Sequence, residues 1–412
     1  MLAQLTEAGS KLQAFEALRY TNYRWFWLGN LGQAAALGMQ FLILGWLVLQ
    51  LTGSSSQLGL VIFIYGAPNL VLLVFGGVFA DRIDRRVLLI SSQSGVTALI
   101  CIVAVLTQLQ LISVYHIYGV VFLLGVIQGI NMPARMSIVP SLVNREHLLN
   151  AVALNTAVMN TGRIVGPAFA GWVIEFAGLA NALFLNVFFY AVGVFFLTMI
   201  RGLPRITGPG RRNIIGDLIE GVRFLQRTPV ALTIIGIGCA FGFFAAAYLE
   251  LMPAFAREVL SANAGSAGFL LSAAGFGSLI SSMALASAGD LKRKNILLIA
   301  AALTFGVALF AFAWSPIYSL SWAILVIAGF GFTGYISLGT TILQLTVPPH
   351  LLGRIMSFWL LGAALHYVGA WPLGLIADYL SWPISLSYGA IMFTIVVLIL
   401  GVWRPTLRRL EL

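Results

Sequence analysis

Residues 58–86 read LGLVIFIYGAPNLVLLVFGGVFADRIDRR. Residues 58–80 carry no charge, whereas 81–86 hold Asp81, Arg82, Asp84, Arg85 and Arg86. About 20 apolar residues are what an α-helix needs to cross the hydrocarbon of a bilayer. A barrel strand would instead alternate in polarity at every second residue. The stretch therefore reads as a helix that leaves a membrane at Asp81. Similar runs recur along the 412-residue chain, which is 60% hydrophobic and only 9% charged, far from the roughly 25% charged composition of soluble domains. The expected fold class is an all-α polytopic membrane protein.

Twelve spans are expected, at 28–51, 57–80, 87–107, 113–134, 150–174, 180–200, 230–252, 264–288, 296–314, 317–345, 356–378 and 382–403. They divide the chain into an amphipathic lead-in (1–27), a six-helix bundle (28–201), a linker (202–229), a second six-helix bundle (230–403) and a tail (404–412). In the linker, Ile215, Leu218, Ile219, Val222 and Leu225 recur at helical spacing, the pattern of a helix lying on the membrane surface. With the N-terminus inside, all 23 Lys and Arg except Arg163 and Arg257 fall on the cytoplasmic side. The positive-inside rule then places both termini in the cytoplasm and accounts for the net charge of +10 without a nucleic-acid partner. Cys101 and Cys239 lie inside apolar runs, so no disulfide framework is expected.

The chain repeats itself. GVFADRIDRRVLLI after span 2 is echoed by ALASAGDLKRKNILLI after span 8, with Asp81 against Asp290 at an offset of 209. In spans 5 and 11, Gly166 and Gly171 match Gly369 and Gly374 at an offset of 203. Two parallel six-span repeats are a plan of secondary transporters, which bind substrate between the halves near mid-membrane.

These motifs resemble the major facilitator superfamily. Its loop motif after span 2 appears as Gly77, Phe79, Ala80, Asp81, Arg82, Asp84, Arg85, Arg86 and Leu89, with Phe79 in place of Leu and Asp84 in place of a turn Gly. Asp tolerates a left-handed turn better than most residues do. The stretches NMPARMSIVPSLVNREHLLNAVALN (131–155), GRIVGPAFAGW (162–172) and LIEGVRFLQRTPV (218–230) are similar to the bacterial branch of enterobactin exporters and secretion-type permeases. The family's span-4 motif is half present: Gln128 and Gly129 stand in place, but Gly125 holds the position of its Arg. The resemblance implies that spans 1, 4, 7 and 10 line the path. It also implies a gating motif of Gly77, Asp81, Arg82, Arg85 and Arg86, with Asp290 and Lys292 in the second half.

Ionisable groups in hydrocarbon are costly and mark candidate sites. Arg163 lies near mid-depth in span 5, on one face with Thr156, Asn160 and Pro167. It is either a cavity cation or a structural tie between helices. Glu250 and His366 are candidates, with Arg163, for coupling to an ion; each has a plainer reading as a helix-end acid or a packed neutral ring. Polar stripes with cavity-lining potential are Asn30, Gln33 and Gln40 in span 1, Gln128 and Asn131 in span 4, and Ser337, Thr341 and Gln344 in span 10, with Tyr335 and Trp359 as aromatic lining. Hydrogen bonding between helices is the alternative for each. Glu175, Asp378 and His116 sit at outer ends and read as solvated. Gly329-Phe-Gly331-Phe-Thr-Gly334 matches a nucleotide-binding spacing, but no strand precedes it, and helix packing explains it better.

The expectation is a monomeric secondary transporter of the bacterial cytoplasmic membrane, without cofactor, metal or enzymatic activity. It would export a small amphipathic organic molecule (a siderophore, secondary metabolite or drug-like compound) in exchange for protons or another coupling ion. An uptake symporter or lipid or lysolipid flippase of the same fold is the first alternative; a receptor or scaffold is the remote one.

Overall fold

The computed structural model describes residues 15–80, 84–201, 214–288 and 292–403. Among these there is no strand, and the helices follow the expected spans closely. The first half consists of α1 (Thr21–Thr52), α2 (Ser55–Ala80), α3 (Arg85–Gln108), α4 (Val114–Ile138), α5 (Leu148–Ala177) and α6 (Leu179–Thr198). The linker carries α7 (Ile214–Arg227). The seventh span is α8 (Pro229–Ala240), a π-turn (Phe241–Ala246) and α9 (Tyr248–Glu258). Then come α10 (Ala264–Ser287), α11 (Lys294–Ala313) and α12 (Tyr318–Thr346). The eleventh span is broken into α13 (Pro349–Ala364) and α14 (His366–Tyr379), and α15 (Trp382–Val397) closes the second half.

Among the described residues, eleven spans are long and apolar enough to cross a bilayer by length and composition alone. The exception is α5, which carries Asn155, Thr156, Asn160, Thr161 and Arg163. It is held between α1 of its own half and α10 of the other.

Lipid offers no hydrophobic drive between helices, so close packing through small residues has to supply it. Glycines provide that approach here. Gly38 of α1 faces Gly162 and Gly166 of α5, and a Cβ on it would collide with the Gly162 carbonyl oxygen. Gly329 of α12 meets the Ala274 carbonyl of α10, and Gly331 lies against Ala301 and Phe305; helix packing, not phosphate binding, accounts for that glycine spacing. The second half is centred on Phe241, whose ring meets Phe305, Phe332, Tyr335 and Phe393 at centroid distances of 5.2–5.6 Å.

The two halves meet through α5 with α10 and α2 with α14, and their hydrogen bonds cluster at the side away from the chain termini. Toward the termini, Thr156, Asn160 and Gln344 are exposed, and the close glycine contacts between α5 and α10 stop short of them, at Ile164.

Asp81, Arg82 and Asp290 of the expected gating motif lie outside the described residues, while Gly77 falls within α2 and Lys292 just before α11. Asp84 differs from the left-handed turn anticipated for it. Its φ is −55°, and it caps α3 by accepting from the backbone N–H of Arg86 (2.9 Å) and Val87 (3.2 Å). A carboxylate at a helix N-terminus satisfies otherwise orphaned donors. Arg86 in turn donates to the Thr198 carbonyl at the end of α6 (2.8 Å). In α7, Leu225 is buried while Ile219 and Val222 are exposed, so its apolar stripe is shared between the protein and its surroundings. Glu220 and Arg354 form an ion pair that ties α7 to α13.

Gly38→Val is expected to force α1 from α5, costing about 1–3 kcal/mol of stability and several degrees of thermal midpoint in detergent. Gly119→Val, where nothing stands within 4 Å, is the expected silent control. Equal midpoints for the two would show that the α1–α5 contact is not tight.

Candidate functional site

The seventh and eleventh spans are irregular at adjacent points. The π-turn packs against both halves of the broken eleventh span: Gly242 abuts the Gly362 carbonyl, and Gly369 abuts the Phe243 carbonyl. Local π-turns inside α-helices often occur at functional sites. Here the two irregularities bring Glu250, near the start of α9, against His366, the first residue of α14. His366 Nε2 lies 3.3 Å from Glu250 Oε1. Its Nδ1 lies 2.8 Å from the Ala363 carbonyl oxygen.

A carbonyl can only accept, so Nδ1 carries a proton. Nε2 then faces a carboxyl oxygen, and that contact is favourable only if the ring or the carboxyl holds one further proton. Glu250 Oε2 is buried with no hydrogen-bond partner. The guanidinium of Arg163 lies within electrostatic reach of Tyr248, His366 and Tyr367. Its Cα stands 15 residues, or about 22 Å, from the start of its helix. The Tyr367 ring lies tilted against His366, with centroids 4.0 Å apart, and meets Tyr65 of the first half at 5.4 Å. Glu250 and His366, named separately in the sequence, thus meet near the seam of the halves, with the Arg163 charge within electrostatic reach.

Other predicted site residues fall elsewhere. Asn30, Gln33, Gln40 and Asn131 are buried inside the first half. Asn30 donates to Asn155, Gln40 accepts from the Tyr190 hydroxyl, and Asn131 donates to Ser92. For these side chains, hydrogen bonding between helices describes this conformation better than cavity lining. Helical spacing put them on one face; it could not say what that face meets. Tyr335 is buried among the aromatic rings, and Trp359 is buried with its indole N–H donating to Thr340 Oγ1 (3.1 Å). Gln128, Ser337 and Thr341 are half-buried, and Thr341 donates to the Ser337 carbonyl. Asn160, Arg163 and Gln344 are exposed.

The residue the sequence reading missed is Arg135. With span 4 expected to end at 134, it falls among the cytoplasmic charges. The helix instead continues past Pro133 to Ile138, and Arg135 is 8% exposed. Its guanidinium donates to the side-chain oxygens of Asn30, Asn131 and Gln93 and sits 5.9 Å from the Phe26 ring centroid. Among the described residues no carboxylate pairs with it. The available signal was Asn131 four residues earlier, on the same helical face.

A twelve-helix, two-repeat bundle with half-buried ionisable groups near the seam of its halves defines a transporter of the major facilitator type. A family model described as transmembrane secretion effector matches residues 12–411, and the chain belongs to that family. It is 29% identical to the enterobactin exporter EntS of Shigella boydii over 344 residues, covering 81% of this chain and 77% of that protein. An Escherichia coli O81 EntS is 28% identical over the same length. In fold it is similar to a D-xylose–proton symporter (TM-score 0.74, 14% identity, 95% of this chain and 100% of that one). A nucleoside transporter, NupG, has a TM-score of 0.73 at 13% identity, covering 92% and 98%.

Arg135→Ala would leave three buried amides without their donor. It is expected to cost about 2–4 kcal/mol and to lower the thermal midpoint in detergent clearly. Arg135→Lys would recover only part of this, because an ammonium cannot reproduce the planar fork. Full recovery by Lys would mean that charge alone matters there.

Proposed function

We infer that this integral membrane protein is a secondary active exporter of the bacterial cytoplasmic membrane. It moves a small amphipathic organic molecule by alternating access, in exchange for protons. The observation that carries the reading is the Glu250–His366 contact, which is favourable when the pair shares a proton.

Arg163 supplies a fixed positive charge for an acidic group on the substrate, with Asn160, Gln128, Ser337, Thr341 and Gln344 as polar contacts along the path. Glu250 Oε2 is an acceptor without a donor. A substrate hydroxyl can satisfy it once the proton has left, so substrate and proton compete for one carboxylate. Competition of this kind makes the two move in opposite directions, because each stabilises a carrier that excludes the other. A hydroxyl-bearing organic acid meets both requirements. Enterobactin, carried by the curated relatives, is the natural first test compound. Joint binding of substrate and proton would instead favour the second reading, an uptake symporter or lipid flippase on the same fold. A receptor or scaffold has no use for the cluster.

Proteoliposomes with an acidic lumen are expected to accumulate enterobactin. Accumulation in an alkaline lumen would indicate co-transport, and indifference to pH would remove protons from the cycle.

Arg163→Ala and Glu250→Gln are each expected to lower the initial rate at least tenfold. Glu250→Gln should also abolish the response to the imposed gradient while substrate binding, followed by tryptophan fluorescence, persists. Unchanged rates in both variants would remove the cluster from the mechanism.

A further inference from the structure

The geometry points to a second pair of acids, Glu175 and Asp378, as the gate that holds the distal side of the path shut. Glu175 stands at the end of α5 and Asp378 at the end of α14. Each follows by four residues a glycine, Gly171 or Gly374, at which its helix presses on the first turn of a helix from the other half. A Cβ on Gly374 would come within 2.6 Å of the Ser55 carbonyl oxygen, and one on Gly171 would collide with the Ala264 carbonyl.

One turn beyond those contacts, the carboxylates reach the N-termini of the partner helices. Asp378 accepts from the backbone N–H of Ser55 (2.8 Å) and Ser56 (2.9 Å) and from the Ser54 hydroxyl (2.6 Å), closing the start of α2. Glu175 Oε1 accepts from the Asn263 side chain (2.9 Å). Asn263 is itself the cap of α10, bonded to the N–H of Ser266 (2.8 Å). Glu175 Oε2 lies directly against Gly265.

The two arrangements are one device used twice. An offset of 203 residues carries Gly171 and Glu175 onto Gly374 and Asp378, and an offset of 209 carries Ser54 onto Asn263. The Asp378 latch is reinforced. Glu258 accepts from the Ser55 hydroxyl (2.7 Å) and the Trp382 indole N–H (2.9 Å), and Arg257 donates to the Leu49 carbonyl near the end of α1 (2.6 Å). Acids therefore sit where helices begin and a cation where one ends, the signs the helix dipole favours. Both latches join opposite halves, so both must part before the distal side can open. Glu175 and Asp378 thus set the balance between the two faces of the transporter without touching the Glu250–His366 cluster.

This inference rests on the alternating-access reading, but its test needs no substrate. Spin labels would be placed on Gln110→Cys, in the loop after α3, and Ser319→Cys, at the exposed start of α12, both on the distal side and in opposite halves, in a Cys101→Ser/Cys239→Ser background. Their separation would be read by double electron–electron resonance on the full chain in lipid nanodiscs. Glu175→Gln with Asp378→Asn is expected to raise the ratio of distally open to closed molecules about tenfold, seen as a new long-distance population. Each single variant should give a smaller shift, roughly two- to fivefold, and supplies the measurement if the pair does not elute as a monodisperse species. An unchanged distance distribution would overturn the gate. Failure of enterobactin transport alone would leave it standing.

Discussion

Inside a bilayer there is no water to bond a free N–H or C=O, so each span must satisfy its backbone within its own helix. Once every span is a helix, what remains to be specified is how closely and at what angle those helices touch. Glycine-to-carbonyl contact is the recurring answer here: α1 on α5, α10 on α12, and the inter-half pairs α5 with α10 and α2 with α14. The π-turn in the seventh span and the break in the eleventh fit into one another by the same means, through Gly242 and Gly369. Had either approach been blocked by a side chain, Glu250 and His366 would not meet.

Polar groups in such a setting are either fully engaged or available for work. The Arg135 network is close to the first kind, with only the Gln93 side-chain nitrogen left over. Its donors reach amide oxygens on three helices, and the surrounding low dielectric strengthens each bond while penalising any loss. The Glu250–His366–Arg163 cluster is of the second kind. One carboxyl oxygen lacks a partner, and the contact itself depends on protonation. The first half thus holds its charge rigidly, whereas the groups between the halves can change partners.

Much of this was legible in the sequence. Uninterrupted apolar length located the spans, because crossing a bilayer leaves a residue no choice of environment. The 203- and 209-residue offsets disclosed the two repeats. Periodicity was less informative where it assigned residues to a face without identifying the neighbour, which is how Asn30, Gln40 and Asn131 came to be read as cavity lining. Arg135 lies one residue past the expected end of span 4 at 134, where a basic residue reads as a cytoplasmic charge; Pro133 sits inside the continuing helix, its missing N–H tolerated because neighbouring helices re-satisfy the freed backbone group. Glu250 and His366 were each visible, but their meeting depends on two helix irregularities more than a hundred residues apart. Asp378, read as a solvated terminal acid, owes its bonds to α2, which the sequence alone did not place beside it.

The polarity of α5 also bears on how the chain is made. A segment too polar to partition on its own gains little from surrounding lipid and needs protein neighbours to remain in the membrane. One of those neighbours, α1, has already emerged when α5 is synthesised. The other, α10, begins at Ala264, well after α5 ends at Ala177. At roughly 5–20 residues per second, the face that will meet α10 waits several seconds for its partner. During that interval the Gly38–Gly162–Gly166 contact with α1 is the protein neighbour available to α5, which ties the insertion of this helix to its early pairing with α1.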